Sequence, residues 1–167
     1  ILYFKNQMLV DDNAKFPNEP PIGNVVPIAL DGPLKTAADA ILTEARQLSA
    51  DNSTLTRELI KQFNDSESQN AALLTKEMSK ADAIVAILSL ENIHARVAGA
   101  LQLEDGRRRQ NIIPMVEIWD GEHWQLFNLE TGSKDFTKNL LLWNEKGTPL
   151  LEVTGGTNSQ VSFSIIS

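Results

Sequence analysis

The positions of this chain that could do chemistry centre on a predicted β-hairpin. The dipeptide Asp120-Gly121 lies between two apolar-rich segments, and this pattern predicts a two-residue hairpin turn. Such a turn pairs Trp119 with Glu122 and puts Ile113 directly opposite Asn128. Opposed side chains on paired strands lie close together. At such a distance a carboxylate can orient an imidazole, as it does in acyl-transfer sites where the imidazole activates the nucleophile. Isoleucine cannot take up a proton and an amide cannot stabilise an imidazolium, so this pair cannot do acid–base chemistry.

The chain also lacks the nucleophile and the ligands of the common thiol sites. It contains no cysteine, which excludes thiol acyl transfer, disulfides and thiolate metal sites. A hydrolase that uses Ser79 or Ser89 with His94 is disfavoured, because Ser89 lies in an apolar helical segment and His94 follows only five residues later. His94 and His123 are isolated from any carboxylate cluster, so we expect no metal and no cofactor.

Binding is the chemistry that the remaining polar residues allow. Arginine suits bidentate contact with a carboxylate. The three consecutive arginines at residues 107–109 cannot all contact one ligand, and the alternative for them is a solvated turn. For Arg96 the alternative is a structural pairing with a carboxylate or with backbone carbonyls. Glu117 has a structural or a ligand-contacting role, and Asn128 either orients a bound peptide or ends a strand. The binding candidates are Arg96, Arg107, Arg108, Arg109, Glu117 and Asn128.

Length and composition indicate one ordinary globular domain. The 167 residues are 42% hydrophobic and 22% charged, enough to bury a single core. The net charge of −7 argues against a nucleic-acid partner, because phosphate contacts need a basic surface. The longest apolar run, Ala81 to Leu90, is too short to span a bilayer. The chain begins at Ile1 without a methionine, which suggests a piece of a longer protein.

Periodicity predicts helices in the first half of the chain and strands in the second. Ile1 to Val10 is a predicted strand, and Asp11 to Pro33 has the Pro-rich composition of a linker. Three helices are predicted next. The first spans Thr36 to Leu48, the second begins after a cap at Ser49 or Asp51, and the third runs from about Ala71 to Glu91. The predicted strands are Ala95 to Leu103, Ile112 to Trp119, His123 to Asn128, Leu140 to Trp143, Leu150 to Thr154 and Gln160 to Ile166.

The order of these motifs resembles the transglutaminase-like core of the papain-like superfamily. In that core a buried helix headed by cysteine leads into a Gly-Ile-Pro-Ala-Arg turn, which corresponds here to Ile93-His94-Ala95-Arg96. Strands carrying His, x, Trp, x, Glu and then Asp follow. The resemblance puts the His and Asp positions at Ile113 and Asn128, and counting back from Arg96 by the usual helix length puts the cysteine position near Glu77 or Met78. The catalytic triad is therefore degenerate.

Three longer strings resemble one bacterial family, the inactive transglutaminase-like domain fused to seven transmembrane helices. They are Arg46 to Asp51, Leu103 to Gln110, and the tail from Leu150 to Ile166. The resemblance implies an α+β fold with N-terminal helices packed on an antiparallel β-sheet. It divides the chain into an N-terminal strand and linker, residues 1–33, and a degenerate transglutaminase-like domain, residues 34–167.

The same resemblance implies a function without catalysis. It predicts a periplasmic pseudoenzyme domain of an inner-membrane protein that has flanking transmembrane helices. Such a domain binds a peptide, an amino acid or a partner protein and signals to the membrane bundle. The alternative is a purely structural docking domain for an ATP-grasp ligase and a retropepsin-like protease, which are associated with the family.

Overall fold

A computed structural model describes residues 19–102, 112–134 and 140–144 of the chain. Within them, four helices precede a four-stranded antiparallel sheet, which confirms the predicted α+β class. The predicted strands at residues 1–10, 150–154 and 160–166 lie outside the described residues. The helices are α1 (Gly32–Gln47), α2 (Asn52–Asn64), α3 (Gln69–Glu77) and α4 (Lys80–Leu90). The strands are β1 (Ala95–Gln102), β2 (Ile113–Trp119), β3 (Trp124–Asn128) and β4 (Leu140–Asn144).

The first two helices follow their sequence signals. Residues 19–31 form neither helix nor strand, and α1 begins at Gly32 with Pro33 in its first turn. Asp51 caps α2, since its side chain accepts a hydrogen bond from the backbone N–H of Thr54. The apolar residues Leu55, Leu59 and Phe63, spaced four apart along α2, are all buried.

The single third helix predicted from Ala71 to Glu91 is wrong, because the structure divides it into α3 and α4. Met78 adopts an extended backbone conformation at the end of α3. Ser79 then starts a new helix, with its hydroxyl accepting from the backbone N–H of Asp82 at 3.1 Å. A serine placed before a helical pattern is a strong start signal, and here it outweighs the continuous periodicity across residues 71–91.

The turn from α4 into β1 is a Schellman motif. The N–H of Ile93 donates to the carbonyl of Leu88, and the N–H of Asn92 donates to the carbonyl of Ser89. Asn92 has a positive φ of 59°, a conformation that asparagine adopts more readily than most residues. The predicted end of the helix at Glu91 therefore agrees with the observed end of α4 at Leu90 to within one residue.

The sheet has the order β3-β2-β1-β4, and one of its faces packs against the helices. On that helix-facing side, Val116, Ile118 and Phe127 belong to the same buried cluster as Ile84 and Ile87 of α4. This packing buries α4 on nearly all sides, as expected for a helix that is apolar all round.

The opposite side, which we call the outer face, carries a smaller apolar cluster and the polar candidates. Side chains alternate along a strand, so residues paired across the ladders share a face. The apolar cluster consists of Ala98, Ala100, Met115 and Leu126, with Ile113 packed against it. The pairing of the strands puts three polar candidates on the same face as this cluster, namely Arg96, Glu117 and Asn128.

Candidate functional site

The outer face brings Arg96 and Glu117 together as a cross-strand pair. They are direct partners in the β1–β2 ladder, and Nε of Arg96 donates to Oε2 of Glu117 at 2.5 Å. The two side chains are only 25% and 12% exposed. The Coulomb attraction between two charges shielded to this degree is stronger than that of an open surface pair. Removing one partner would leave the other charge partly buried and uncompensated.

An aromatic pair supports this ion pair from the neighbouring hairpin. The guanidinium carbon of Arg96 lies 3.8 Å from the ring centroid of Trp124, which is cation–π distance. Trp119 faces Trp124 across the β2–β3 ladder in an edge-to-face arrangement, with centroids 5.5 Å apart. The indole N–H of Trp124 donates to the carbonyl of Glu19 at 2.7 Å, so the residue 19–31 segment is tied to the hairpin. Arg96 is therefore fixed in position by a carboxylate and a ring.

The hairpin turn differs from the sequence prediction by one residue, and this corrects the predicted pairing. Trp119 pairs with Trp124, and the N–H of Asp120 donates to the carbonyl of His123, so the turn residues are Gly121 and Glu122. Gly121 has a φ of +103°, as the first position of a primed hairpin turn requires.

The side chain of Asp120 explains the shift. Its Oδ1 accepts from the backbone N–H groups of Glu122 and His123, and its Oδ2 accepts from Nε2 of Gln125. These hydrogen bonds, the one to the His123 backbone first, lower the pKa of Asp120 to about 2. An aspartate that caps its own turn belongs beside the turn and not within it.

The predicted juxtaposition of Ile113 and Asn128 is consequently wrong. Met115 lies opposite Asn128, while Ile113 pairs with Ala100 on β1. The two residues still share the outer face, because the pairing shift of two positions conserves the alternation of side chains. Glu77 and Met78, the predicted cysteine position, end α3 immediately before the Ser79 cap of α4. Met78 packs against the helix-side core, whereas Ile113 packs in the outer-face cluster.

The other predicted candidates have separate surroundings. Oδ1 of Asn128 accepts from the backbone N–H of Glu130, and the Asn128 carbonyl accepts from the N–H of Gly132. The side-chain oxygen of Asn128 thus holds the loop after β3. Arg107, Arg108 and Arg109 lie outside the described residues.

The serines of the hydrolase alternative are engaged in backbone contacts. The hydroxyl of Ser89 donates to the carbonyl of Ala86 and accepts from the N–H of Ile28, and Ser79 caps α4. Across residues 19–102, 112–134 and 140–144, no three His, Asp or Glu side chains are grouped closely enough to hold a metal ion.

A surface depression of about 410 Å³ opens beside the ion pair at the turn end of the hairpin. Its volume lies in the range of small-molecule sites, roughly 300–1,000 Å³. Glu117 and Trp124 contribute to it, so the depression adjoins the Arg96–Glu117 pair. Its lining consists of Glu117, Asp120, His123, Trp124, Gln125, Leu126 and Lys134.

Sequence reasoning found Arg96 and Glu117 but missed the rest of this site. Trp124, Gln125 and Lys134 are not among the binding candidates that the sequence indicates. The Asp120-Gly121 signal could have revealed the aspartate as a turn cap, since Asp side chains commonly bond backbone N–H groups two residues on. No pattern in the sequence marks Lys134, which comes to the depression through the loop after β3.

Comparison with known proteins supports the resemblance over the N-terminal part of the chain. Residues 1–78 match the model of a family described as inactive transglutaminase fused to 7 transmembrane helices. No curated protein and no solved structure matches this chain. None of the four helices in the described ranges is long and apolar enough to cross a membrane. The match ends at Met78, ahead of α4 and the sheet that carries the site. The chain is therefore similar to this family over residues 1–78.

Proposed function

We propose that this chain is a non-catalytic, extracytoplasmic domain of a multi-pass membrane protein that binds a peptide or amino-acid ligand and signals its occupancy to the membrane helices. The family description supports the non-catalytic and membrane-associated parts of this proposal. The absence of cysteine from the sequence supports it too, since the thiol nucleophile of active transglutaminases is missing. In this view the fold is a degenerate transglutaminase-like core that has retained a binding surface.

The single observation that carries ligand binding is the Arg96–Glu117 ion pair held over Trp124 at the edge of an open depression. A concave surface with an aromatic wall and a few fixed polar groups is the usual form of a small-ligand site. Fixed side chains lose little conformational entropy on binding, which favours affinity. The acidic composition of the chain points away from nucleic acid as the ligand.

The proposed location is the periplasm of a Gram-negative cell. It rests on the resemblance to the membrane family, in which the domain lies between a leading transmembrane helix and the helical bundle. Fusion of the domain to a reporter that is active only outside the cytoplasm, within the full-length protein, tests this location. Activity of a second reporter that works only in the cytoplasm, fused at the same position, with no activity of the first reporter, would contradict it.

Calorimetric titration tests ligand binding directly. Glutamate-containing peptides and peptidoglycan fragments are titrated into the 167-residue chain, and we expect saturable binding of at least one of them. Arg96→Ala should weaken that binding. Arg46→Ala is the matched control, because Arg46 forms an ion pair with Glu91 at 2.5 Å on the helical side of the molecule. No binding across the panel would contradict the ligand-binding proposal.

Protein docking is the second candidate function, and an exposed apolar segment favours it. Ile22 and Val26 are 101% and 80% exposed in the stretch before α1, and Ile28 is exposed as well. Exposed apolar side chains close together often mark a protein contact. In this alternative the domain docks an ATP-grasp ligase or a retropepsin-like protease without binding a small ligand.

Pull-down with each purified partner separates the two functions. Capture that is lost in an Ile22→Asp, Val26→Asp double variant but kept in Arg96→Ala would favour docking through the segment before α1. Peptide binding without capture of either enzyme would favour the ligand-binding function.

A further inference from the structure

We propose that residues 19–29, which we call the strap, attach to and release from the rest of the molecule as one unit, and that Trp124 couples this motion to the outer-face site. The strap is then a conformational switch between the hairpin and the helices. It operates without any ligand, so it goes beyond the proposed ligand binding and does not depend on it.

Two long-range hydrogen bonds attach the strap to different parts of the fold. At one end, the indole N–H of Trp124 donates to the carbonyl of Glu19 at 2.7 Å. At the other end, the backbone N–H of Ile28 donates to Oγ of Ser89 at 2.9 Å. Trp124 belongs to β3 and Ser89 to α4, so the strap connects the hairpin to the helical layer. Leu30 is buried in the helix-side core, and the segment able to release ends before it.

The strap is largely exposed between its two attachments. Pro21 and Val25 are half-buried, and the other residues from 20 to 27 are exposed. Within the part of the chain that the structure describes, residues 19–29 are hydrogen-bonded to the body of the fold at the two attachments alone. Segments with few buried contacts open at much lower free energy than the core. We therefore expect the strap to release while the rest of the domain stays folded.

The residues of the strap favour opening as a unit. Pro20, Pro21 and Pro27 each restrict their own φ, so the segment has few alternative backbone conformations. Gly23 lies between the attachments with a φ of +78°, which residues with a side chain rarely adopt. Because so little backbone freedom remains, loss of one attachment should disturb the alignment of the other.

Trp124 connects the strap to the outer-face site. The guanidinium carbon of Arg96 lies 3.8 Å from the centroid of its ring, and the ring also lines the depression. The hydrogen bond to Glu19 therefore helps to fix the ring against which Arg96 packs. Coupling between two sites is reciprocal. A change that holds this ring in place thus favours the attached strap, and release of the strap loosens the ring.

Hydrogen exchange of the unmodified 167-residue chain, followed by NMR, tests local release. The amide of Ile28 should exchange about tenfold faster, or more, than the amide of Ile87, which is fully buried in α4, after correction for intrinsic rates. Low concentrations of urea should leave the Ile28 rate almost unchanged, because release exposes little surface. Exchange of Ile28 only together with Ile87 would overturn the proposal.

Variants at each attachment test whether the two ends open together. Trp124→Phe removes the indole N–H but keeps a ring beside Arg96, and it should speed exchange of the Ile28 amide about two- to tenfold. Ser89→Ala should in turn speed exchange of the Trp124 indole N–H by a similar factor. Thr75→Ala is the matched control, because the Thr75 hydroxyl also donates to a carbonyl of its own helix but bonds only within α3. It should change neither rate.

Gly23→Ala tests the same unit without touching either attachment. An alanine at this positive φ is strained while the strap is attached, and release relieves the strain. Exchange of both the Ile28 amide and the Trp124 indole should therefore rise about fivefold or more. Circular dichroism checks that each variant is folded, and the exchange test on the unmodified chain needs no variant.

The outcomes decide the proposal separately from ligand binding. A response at one end alone, or at neither end, would show that the two attachments open independently and would overturn the strap as a single switch. Failure of every peptide to bind would contradict the proposed function and leave the exchange results unaffected.

Discussion

Met115 lies directly opposite Asn128 in the β2–β3 ladder, where the predicted turn had placed Ile113. The pairing follows from Asp120 acting as the cap of its own turn, which moves Gly121 to the first turn position. The consequence for function is that the two positions aligned with a catalytic His and Asp do not face each other.

This register can be tested by cross-linking in a chain with no cysteine of its own. We expect Met115→Cys with Asn128→Cys to form a disulfide on mild oxidation, because directly paired residues have Cα atoms about 4.5–5.5 Å apart. Ile113→Cys with Asn128→Cys is the control and should remain reduced. Mass spectrometry of the oxidised proteins counts free thiols, and rapid oxidation of the control pair alone would contradict the register.

The Arg96–Glu117 pair should contribute more to stability than the Arg46–Glu91 pair. The first pair has side chains 25% and 12% exposed, against 42% and 31% for the second. Shielding and the Trp124 contact predict that Arg96→Ala costs about 2–4 kcal/mol, whereas Arg46→Ala costs about 1 kcal/mol or less.

Urea unfolding of both double-mutant cycles to alanine measures the two coupling energies. Equal coupling energies would show that the outer-face pair is as weak as an ordinary surface contact.

The turn carboxylate of Asp120 should make stability pH-dependent in acid. Hydrogen bonds from the backbone of His123 and Glu122 and from the Gln125 side chain lower its pKa from 3.8 to about 2. A carboxyl group with a lowered folded-state pKa stabilises the protein above its unfolded pKa, and this stabilisation is lost as the pH falls through the folded value. Asp120→Asn should therefore be destabilised at pH 7, and its deficit relative to wild type should shrink between about pH 4 and pH 2.

Thermal unfolding of both proteins at several pH values measures this change. Asp39→Asn, which alters an exposed pair with Lys35 on α1, is the control. A deficit of Asp120→Asn that stays constant down to pH 2 would show that the lost carboxylate charge is not the cause.

The boundary between α3 and α4 should depend on the Ser79 cap. Ser79→Ala removes the acceptor for the N–H of Asp82 and should cost about 1 kcal/mol. Ser66→Ala, at an exposed position between α2 and α3, should be nearly neutral. Urea unfolding compares the two variants, and an unchanged midpoint for Ser79→Ala would indicate that packing alone sets the start of α4.

Local signals in the sequence determined much of this protein. The apolar stripe of α2, its Asp51 cap, and the strand that follows Asn92 were all predictable, because caps and periodicity act over a few residues. The absence of cysteine excluded thiol catalysis without any structure. Arg96 and Glu117 could be recognised as candidates, and a pairing of Arg96 with a carboxylate or with backbone carbonyls was one of the two roles expected for it.

Tertiary structure alone decided which residues meet. The partner of Arg96 is Glu117 because the β1–β2 register aligns them, and Lys134 joins the depression through a loop whose course no local pattern predicts. Periodicity across residues 71–91 also concealed the break at Met78 and Ser79, since both halves bury apolar side chains in one core. Hairpin pairing depends on which turn residue takes the positive φ, and here a single aspartate side chain settled that choice. Sequence spacing fixes the alternation of faces along a strand, whereas the turn and its hydrogen bonds fix which residues become opposite partners.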